Sequence, residues 1–337
     1  MNFSLDFAHA YSSLGISAQF RQQVEDFDVT ELFSENFFSG QGEHHCFYIE
    51  KRGENTPWVA KLLAEYFSVE EMAIGYCGLK DRHAVTRQWF SVHLPGQMTV
   101  PMPQLGDSIR VLEASRHHKK LRRGEHAANR FRICLRELTA DMDEHSLQQS
   151  VKKRIKEIVE KGVPNYFGEQ RFGRQGNNLV EADRLLAQIR DRNDQGQSQQ
   201  HHKRRKRGRN RSFSSRQGLY LSAARSWLFN RVLSERIKQG AWSQLSSTDT
   251  GPLWGRGRNP SEPDLAGLEQ EILRAWSPWL EALEFSGLNQ ERRLLVMKPG
   301  AMSCQFFERN LVLAFELQSG QYATSLLREL LSLLHTQ

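Results

Sequence analysis

Cysteine is scarce in this 337-residue chain, and no two cysteines are close together. Cys46, Cys77, Cys134 and Cys304 stand far apart with no C-x-x-C pair. That spacing argues against a cysteine zinc site and a disulfide framework, and it fits a reducing, cytoplasmic setting. Cys46, Cys134 and Cys304 sit among apolar or aromatic neighbours, where buried structural thiols are expected. Long apolar runs are missing as well, and none approaches the ~20 residues that span a bilayer. The start, Met1-Asn2-Phe3-Ser4-Leu5-Asp6, shows no basic stretch followed by an apolar core, so no secretory signal is visible. His44-His45 lacks a spaced ligand partner, and no phosphate-loop fingerprint or helix-turn-helix spacing occurs. The expectation is a protein without metal or cofactor, and a DNA-binding regulator finds no support.

What is present is charge of one sign in one place. The net charge is +7, with a pI near 9.3, which suggests a polyanionic partner, nucleic acid first. Lys203 to Arg211 holds seven of the basic residues and no acid, and without it the formal charge is zero. A block of this kind is normally a solvated loop, and any RNA contact it makes runs through phosphates. The length suggests about two domains on a prior of ~150 residues each.

The strongest local feature is Gly75-Tyr76-Cys77-Gly78-Leu79-Lys80-Asp81-Arg82-His83-Ala84-Val85-Thr86-Arg87-Gln88-Trp89. It places one carboxylate, Asp81, between two cations on a glycine-bearing loop before a β-type segment. A carboxylate in that setting stays ionised at neutral pH and is suited to act as a nucleophile beside a bound polyanion. A solvated turn with three charges explains the same residues.

Spacing supplies a coarse order of elements. Cys46-Phe47-Tyr48-Ile49 reads as a strand. Thr56-Pro57 opens a helix with Thr56 as its cap, and Trp58, Leu62 and Tyr66, with Leu63 and Phe67 beside them, form a stripe expected in the core. Asn129 to Leu135 alternates, with one basic face and one core face. Leu147, Val151, Ile155, Ile158 and Val159 form a helical stripe ending at Gly162. Helices follow over 178–189, 218–238 and 264–276, strands over 293–297 and 311–317, and a final helix over Tyr322 to His335.

The Gly78–Gln88 segment resembles the signature Gly-Leu-Lys-Asp-Arg-x-Ala-x-Thr-x-Gln of the TruD family of pseudouridine synthases. Five further elements resemble that family in order. They are Glu25-Asp26-Phe27-Asp28-Val29-Thr30-Glu31, Gly42-Glu43-His44 with Glu50 to Thr56, Asn129-Arg130-Phe131, Pro164 to Gly173, and Tyr322 to Leu330. The chain departs at Arg21 and Val24, where the family usually has lysine and proline, and in the turn Leu317 to Tyr322. Arginine keeps the charge but not the compact ammonium.

The resemblance implies an α+β fold: a mixed, mainly antiparallel sheet flanked by helices, with a second α/β domain inserted. The expected layout is a catalytic domain in 1–153 and 306–337 around an insertion in 154–305. It implies isomerisation of uridine 13 of tRNA to pseudouridine, with no cofactor and no metal; apart from the resemblance, a monomer away from membranes is the expectation. Asp81 is implied as the nucleophile. Phe27, Phe131 and Tyr322 are expected around an extruded base and Asn129 at its polar edge. Arg21 or Lys80 is left to pair with Asp81 or a phosphate. The rival class is an RNA-binding protein or tRNA chaperone without catalysis.

Overall fold

A computed structural model describes residues 3–198 and 214–335. The basic run 201–211 lies outside the described residues. In chain order the elements are β1 (Ser17–Phe20), β2 (Phe27–Leu32), β3 (His44–Arg52), α1 (Thr56–Tyr66), β4 (Ile74–Tyr76), β5 (Val85–His93), β6 (Ile109–His117), β7 (Ala128–Thr139) and α2 (Glu144–Lys161). They continue as β8 (Val163–Pro164), α3 (Asn177–Ser198), α4 (Ser215–Lys238), β9 (Thr250–Leu253), α5 (Pro263–Ile272), α6 (Ser277–Glu284), β10 (Glu291–Leu294) and β11 (Val296–Met297). The last are β12 (Gly300–Phe307), β13 (Asn310–Gln318), α7 (Ala323–Leu330) and β14 (Ser332–His335). The class is α+β.

The chain divides into two compact units. One gathers Ser13–Glu160, Lys298–Ala323 and Leu330–Gln337, and the other Met1–Ser12, Lys161–Met297 and Thr324–Glu329. The first unit holds a ten-stranded sheet with the path β12-β13-β7-β2-β5-β3-β6. Within it β1 pairs in parallel with β14 and antiparallel with β7. β2 runs parallel to β5 and antiparallel to β7. The helix α1 covers one face, where Phe47, Ile49, Val59, Leu63, Ile74, Phe90 and Val92 form a core. The second unit is mainly helical, with Trp227, Trp276, Trp279 and Phe3 in mutual ring contact.

Several local expectations are corrected. The cap of α1 is Asn55, whose side chain accepts from the Trp58 amide at 2.9 Å, and Thr56 is already buried inside the helix. Trp58 and Tyr66 are each 41% exposed. The packed stripe is Val59, Ala60, Leu63 and Ala64, one residue further round the helix, a rotation of about 100°. Two alanines let the helix approach the sheet closely, which the aromatic stripe would prevent. The final helix stops at Leu330, because residues 332–335 pair with β1 and Ser332 N donates to Ile16 O at 2.9 Å. A strand edge in need of a partner overrides the leucine spacing. The 293–297 strand is split in two, each part paired elsewhere, and β12 was not visible in the alternation. The α2 stripe packs as read except at Val159, which is exposed. Gly162 ends that segment at φ 83°, a conformation glycine adopts without penalty.

Candidate active site

Strand register assembles a row of polar side chains on the α1-covered face of the sheet. Lys51 pairs with Thr86, Thr86 with Val29, and Glu31 with Asn129. Residues two apart share a face, so Lys51, Thr86, Gln88, Glu31 and Asn129 emerge on the same side as Phe47, Ile49 and Phe90. All but Asn129 are buried. Polar groups there must find partners, and the partner that several of them find is the loop carrying Asp81.

That loop joins β4 to β5 and is hung from the row by side chains. Gln88 Nε2 donates to Gly78 O at 3.0 Å. Thr56 Oγ1 donates to Gln88 Oε1 and accepts from Lys80 N, both at 2.9 Å. Lys51 Nζ donates to Asp81 O at 3.0 Å and to Glu54 O at 2.5 Å. Lys51 is 0% exposed. Burial pulls its ammonium down to about 8, with Lys80 acting in the same direction and the Asp81 and Glu54 charges opposing. The loop's main chain is therefore fixed, while the Asp81 carboxylate stands out from it, 45% exposed.

Among the described residues, one cation pairs with that carboxylate. Arg21 Nη2 lies 2.7 Å from Asp81 Oδ2. Its guanidinium also sits 4.0 Å from the Phe27 ring centre and 5.0 Å from that of Phe20, a cation–π arrangement. Lys80 turns the other way. Its ammonium meets Glu31 Oε1 at 2.5 Å, with both side chains nearly inaccessible. Burial raises the Glu31 carboxyl above its ordinary range, and the Lys80 charge opposes that rise. The departure at position 21 thus supplies the partner of Asp81, and the lysine adjacent to Asp81 in sequence does not.

Of the residues expected at the substrate, Phe27 touches Arg21. Phe27 and Phe131 are buried in an edge-to-face contact at 6.0 Å, and Phe131 stacks on Phe315 at 5.3 Å. Asn129 lies opposite Glu31, its Nδ2 3.1 Å from His126 Nε2. Tyr322 is half-buried in the turn after β13. That turn is tied to the Asn129 end of β7 by Ser319 N donating to Ala127 O at 3.3 Å. On the opposite face of β7 the basic expectation holds in part, since Arg130 is neutralised by Glu316 at 2.8 Å and Arg132 is exposed.

Sequence reasoning missed Lys51, Thr56 and His126 as site residues. Lys51 carried a signal: it occupies an inward position of a strand whose other inward positions are Phe47 and Ile49. Elsewhere, His44 stacks on His93 at 4.6 Å. Among the described residues no three His, Cys, Asp or Glu side chains gather as a metal site, and no helix is long and apolar enough to cross a membrane.

Comparison with known proteins gives the same direction throughout. The profile described as tRNA pseudouridine synthase D (TruD) matches residues 7–188. The chain is 46% identical to a tRNA pseudouridine synthase D of Cellvibrio japonicus, over 100% of this chain and 96% of that one. It is 40% identical to the Aeromonas hydrophila protein of the same name, over 87% and 84%. A Methanosarcina mazei protein whose crystal structure carries the TruD name superposes with a TM-score of 0.68 at 18% identity, covering 96% of this chain and 95% of that one. That last likeness bears on the fold alone. With residues 7–188 matched and near-complete relatives at this identity, the chain belongs to the TruD family of tRNA pseudouridine synthases.

Proposed function

We propose that this chain converts uridine to pseudouridine in tRNA, at position 13, with Asp81 as nucleophile. The observation that carries the assignment is the Asp81–Arg21 pair at 2.7 Å on a loop whose main chain is pinned by Lys51, Thr56 and Gln88. A pinned loop with an exposed carboxylate is a preorganised reagent. A solvated turn has no need of three buried side chains to hold it.

In the proposed reaction Asp81 engages C1′ of the extruded uridine as the N1–C1′ bond breaks, and that bond's electron pair stays with the base. The base turns, C5 bonds to C1′, and the proton on C5 is lost while N1 regains one. Substrate and product are isomers, so no cofactor is consumed. Arg21 aims the carboxylate. Phe27, Phe131 and Tyr322 pack around the base, and Asn129 meets its polar edge. Lys80 acts from its pair with Glu31, holding the loop against β2. Water must be excluded while the base is detached, which the aromatic wall favours. Extrusion from a stem costs a few kcal/mol of stacking and pairing. The enzyme is proposed to act as a monomer without metal, and its four free cysteines suit a reducing cytoplasm.

The test is to incubate unmodified tRNA with the wild-type protein and with Asp81→Asn, then map pseudouridine by sequence position. Product at position 13 from the wild type alone is expected. Product from Asp81→Asn overturns the nucleophile assignment, and no product from the wild type overturns the activity.

A further inference from the structure

Uracil and cytosine differ at N3. Uracil presents an N–H there and cytosine a bare acceptor. An amide side chain facing N3 therefore chooses between them by which of its ends it shows: the oxygen takes uridine, and the NH2 takes cytidine. Resting on the reaction proposed above, the question becomes what orients the Asn129 amide.

His126 does so. Asn129 Nδ2 lies 3.1 Å from His126 Nε2. An NH2 group only donates, so with the amide in this orientation Nε2 is the bare ring nitrogen and the proton sits on Nδ1, which is itself buried without a hydrogen-bond partner. Asn129 Oδ1 is left buried with no hydrogen-bond partner. A buried amide oxygen in that state is costly unless a ligand uses it.

The surroundings keep Nε2 bare. His126 is 6% exposed. Burial, then the Lys80 charge, bring its imidazole down to about 4, so the ring is neutral at physiological pH. Lys80 is itself fixed by Glu31, the residue opposite Asn129 across the β2–β7 ladder. These groups converge at Gly78, where an added Cβ would stand 3.2 Å from Lys80 Nζ, 3.4 Å from Glu31 Oε1 and 3.6 Å from His126 Cε1. The cluster reaches from the loop of Asp81 to the amide of Asn129.

We infer that His126 is a specificity-determining positioning residue. By accepting from Asn129 Nδ2 it turns Oδ1 toward the N3–H of the target base, so uridine is taken and cytidine refused.

The test measures binding in the Asp81→Asn background to tRNA carrying uridine, cytidine or 3-deazauridine at the target position. 3-Deazauridine replaces N3–H by C–H with little change of shape, and it carries its 4-oxygen as a hydroxyl. Uridine should bind tighter than either by roughly 10- to 100-fold, the worth of one buried hydrogen bond against an unpaired group. Adding His126→Ala should bring uridine and cytidine within about 3-fold of each other, on the same basis. His126→Asp, which can only accept, should restore the preference for uridine. His126→Lys, which can only donate, should turn the amide over and move the preference toward cytidine. Undiminished 3-deazauridine binding by the Asp81→Asn protein overturns the inference whatever the variants do. So does an unchanged uridine preference in both His126→Ala and His126→Lys. Pseudouridine formation by the wild-type protein on the same tRNA is scored separately, and its absence counts against the reaction and not against His126 alone.

Discussion

Two asparagines, each within a segment that resembles the family's, lead opposite lives. Asn165, in the helical unit, spends its whole amide on the protein: Nδ2 donates to Leu294 O at 2.8 Å, and Oδ1 accepts from Arg293 Nη2 at 2.6 Å. Arg293 is itself laid 4.1 Å over the Phe167 ring, and Asn230 clamps the Phe167 main chain through both its amide ends. Asn129, in the sheet unit, spends only Nδ2 and leaves Oδ1 buried and unpaired. Both belong to motifs that resemble the family's, so motif membership does not separate them. The hydrogen-bond ledger does: the protein completes the Asn165 amide, and it leaves the Asn129 amide with an open acceptor.

The largest effect expected on the sheet side is at Asp81. Asp81→Asn should lower single-turnover pseudouridine formation by roughly 10⁴-fold or more, the scale for losing a covalent nucleophile, while tRNA affinity stays within about 3-fold because phosphate contacts carry most of it. A collapse in affinity would mean that Asp81 binds and does not react.

Next comes Lys51→Met, which strips Asp81 O and Glu54 O of their donor. A loop displaced by about 1 Å costs up to ~10²-fold in rate. The same variant carries a pH signature. The folded protein releases the Lys51 proton near 8, whereas the unfolded chain keeps it to 10.5. The unfolded state therefore binds more protons between these values, and stability from this group rises with pH across that window. Denaturant titrations at pH 8 and pH 10 should show the wild type gaining about 2 kcal/mol that Lys51→Met does not. Equal slopes would place the lysine in water.

The asparagines themselves are compared directly. Asn129→Ala should cut the rate roughly 10- to 100-fold and cost about 1 kcal/mol in stability, since only its bond to His126 is lost. Asn165→Ala should cost about 2–3 kcal/mol in denaturant unfolding and leave the rate of the folded fraction intact. Reversal of these two outcomes would dissolve the distinction. The smallest contrast lies at the start of α1. Asn55→Ala should cost about 1 kcal/mol as a lost cap, without kinetic effect. Thr56→Val should cost a similar amount and also slow the reaction by about 10-fold, because its hydroxyl holds the loop at Lys80.

Much of this was legible beforehand. The Asp81 loop, Phe27, Phe131 and Asn129 were all singled out from the sequence, and β3 and α2 were marked by their spacing. What spacing does not encode is which of two adjacent stripes packs, hence the inversion at Trp58 and Tyr66. Nor does it encode which of two cations closes on a carboxylate. Lys80 is adjacent to Asp81 in the chain and Arg21 is sixty positions away, yet the Lys80 ammonium is taken by buried Glu31 of β2, while Arg21 follows the end of β1 with a left-handed φ of 61°. His126 carried no local signal at all, because its role exists only through Asn129.

The parallel pairing of β1 with β14 has a consequence for how the protein is made. Ser17 waits for Ser332, and Phe20 for His335. At about 5–20 residues per second of synthesis, the intervening stretch takes on the order of 15–60 s to emerge. For that time β1 has one open edge. The helical unit is also incomplete until Thr324–Glu329 arrives. A ribosome-bound chain truncated before residue 323 lacks a closing piece of both units, so neither finishes ahead of the other, and protection from proteolysis should appear late in translation and in both units together.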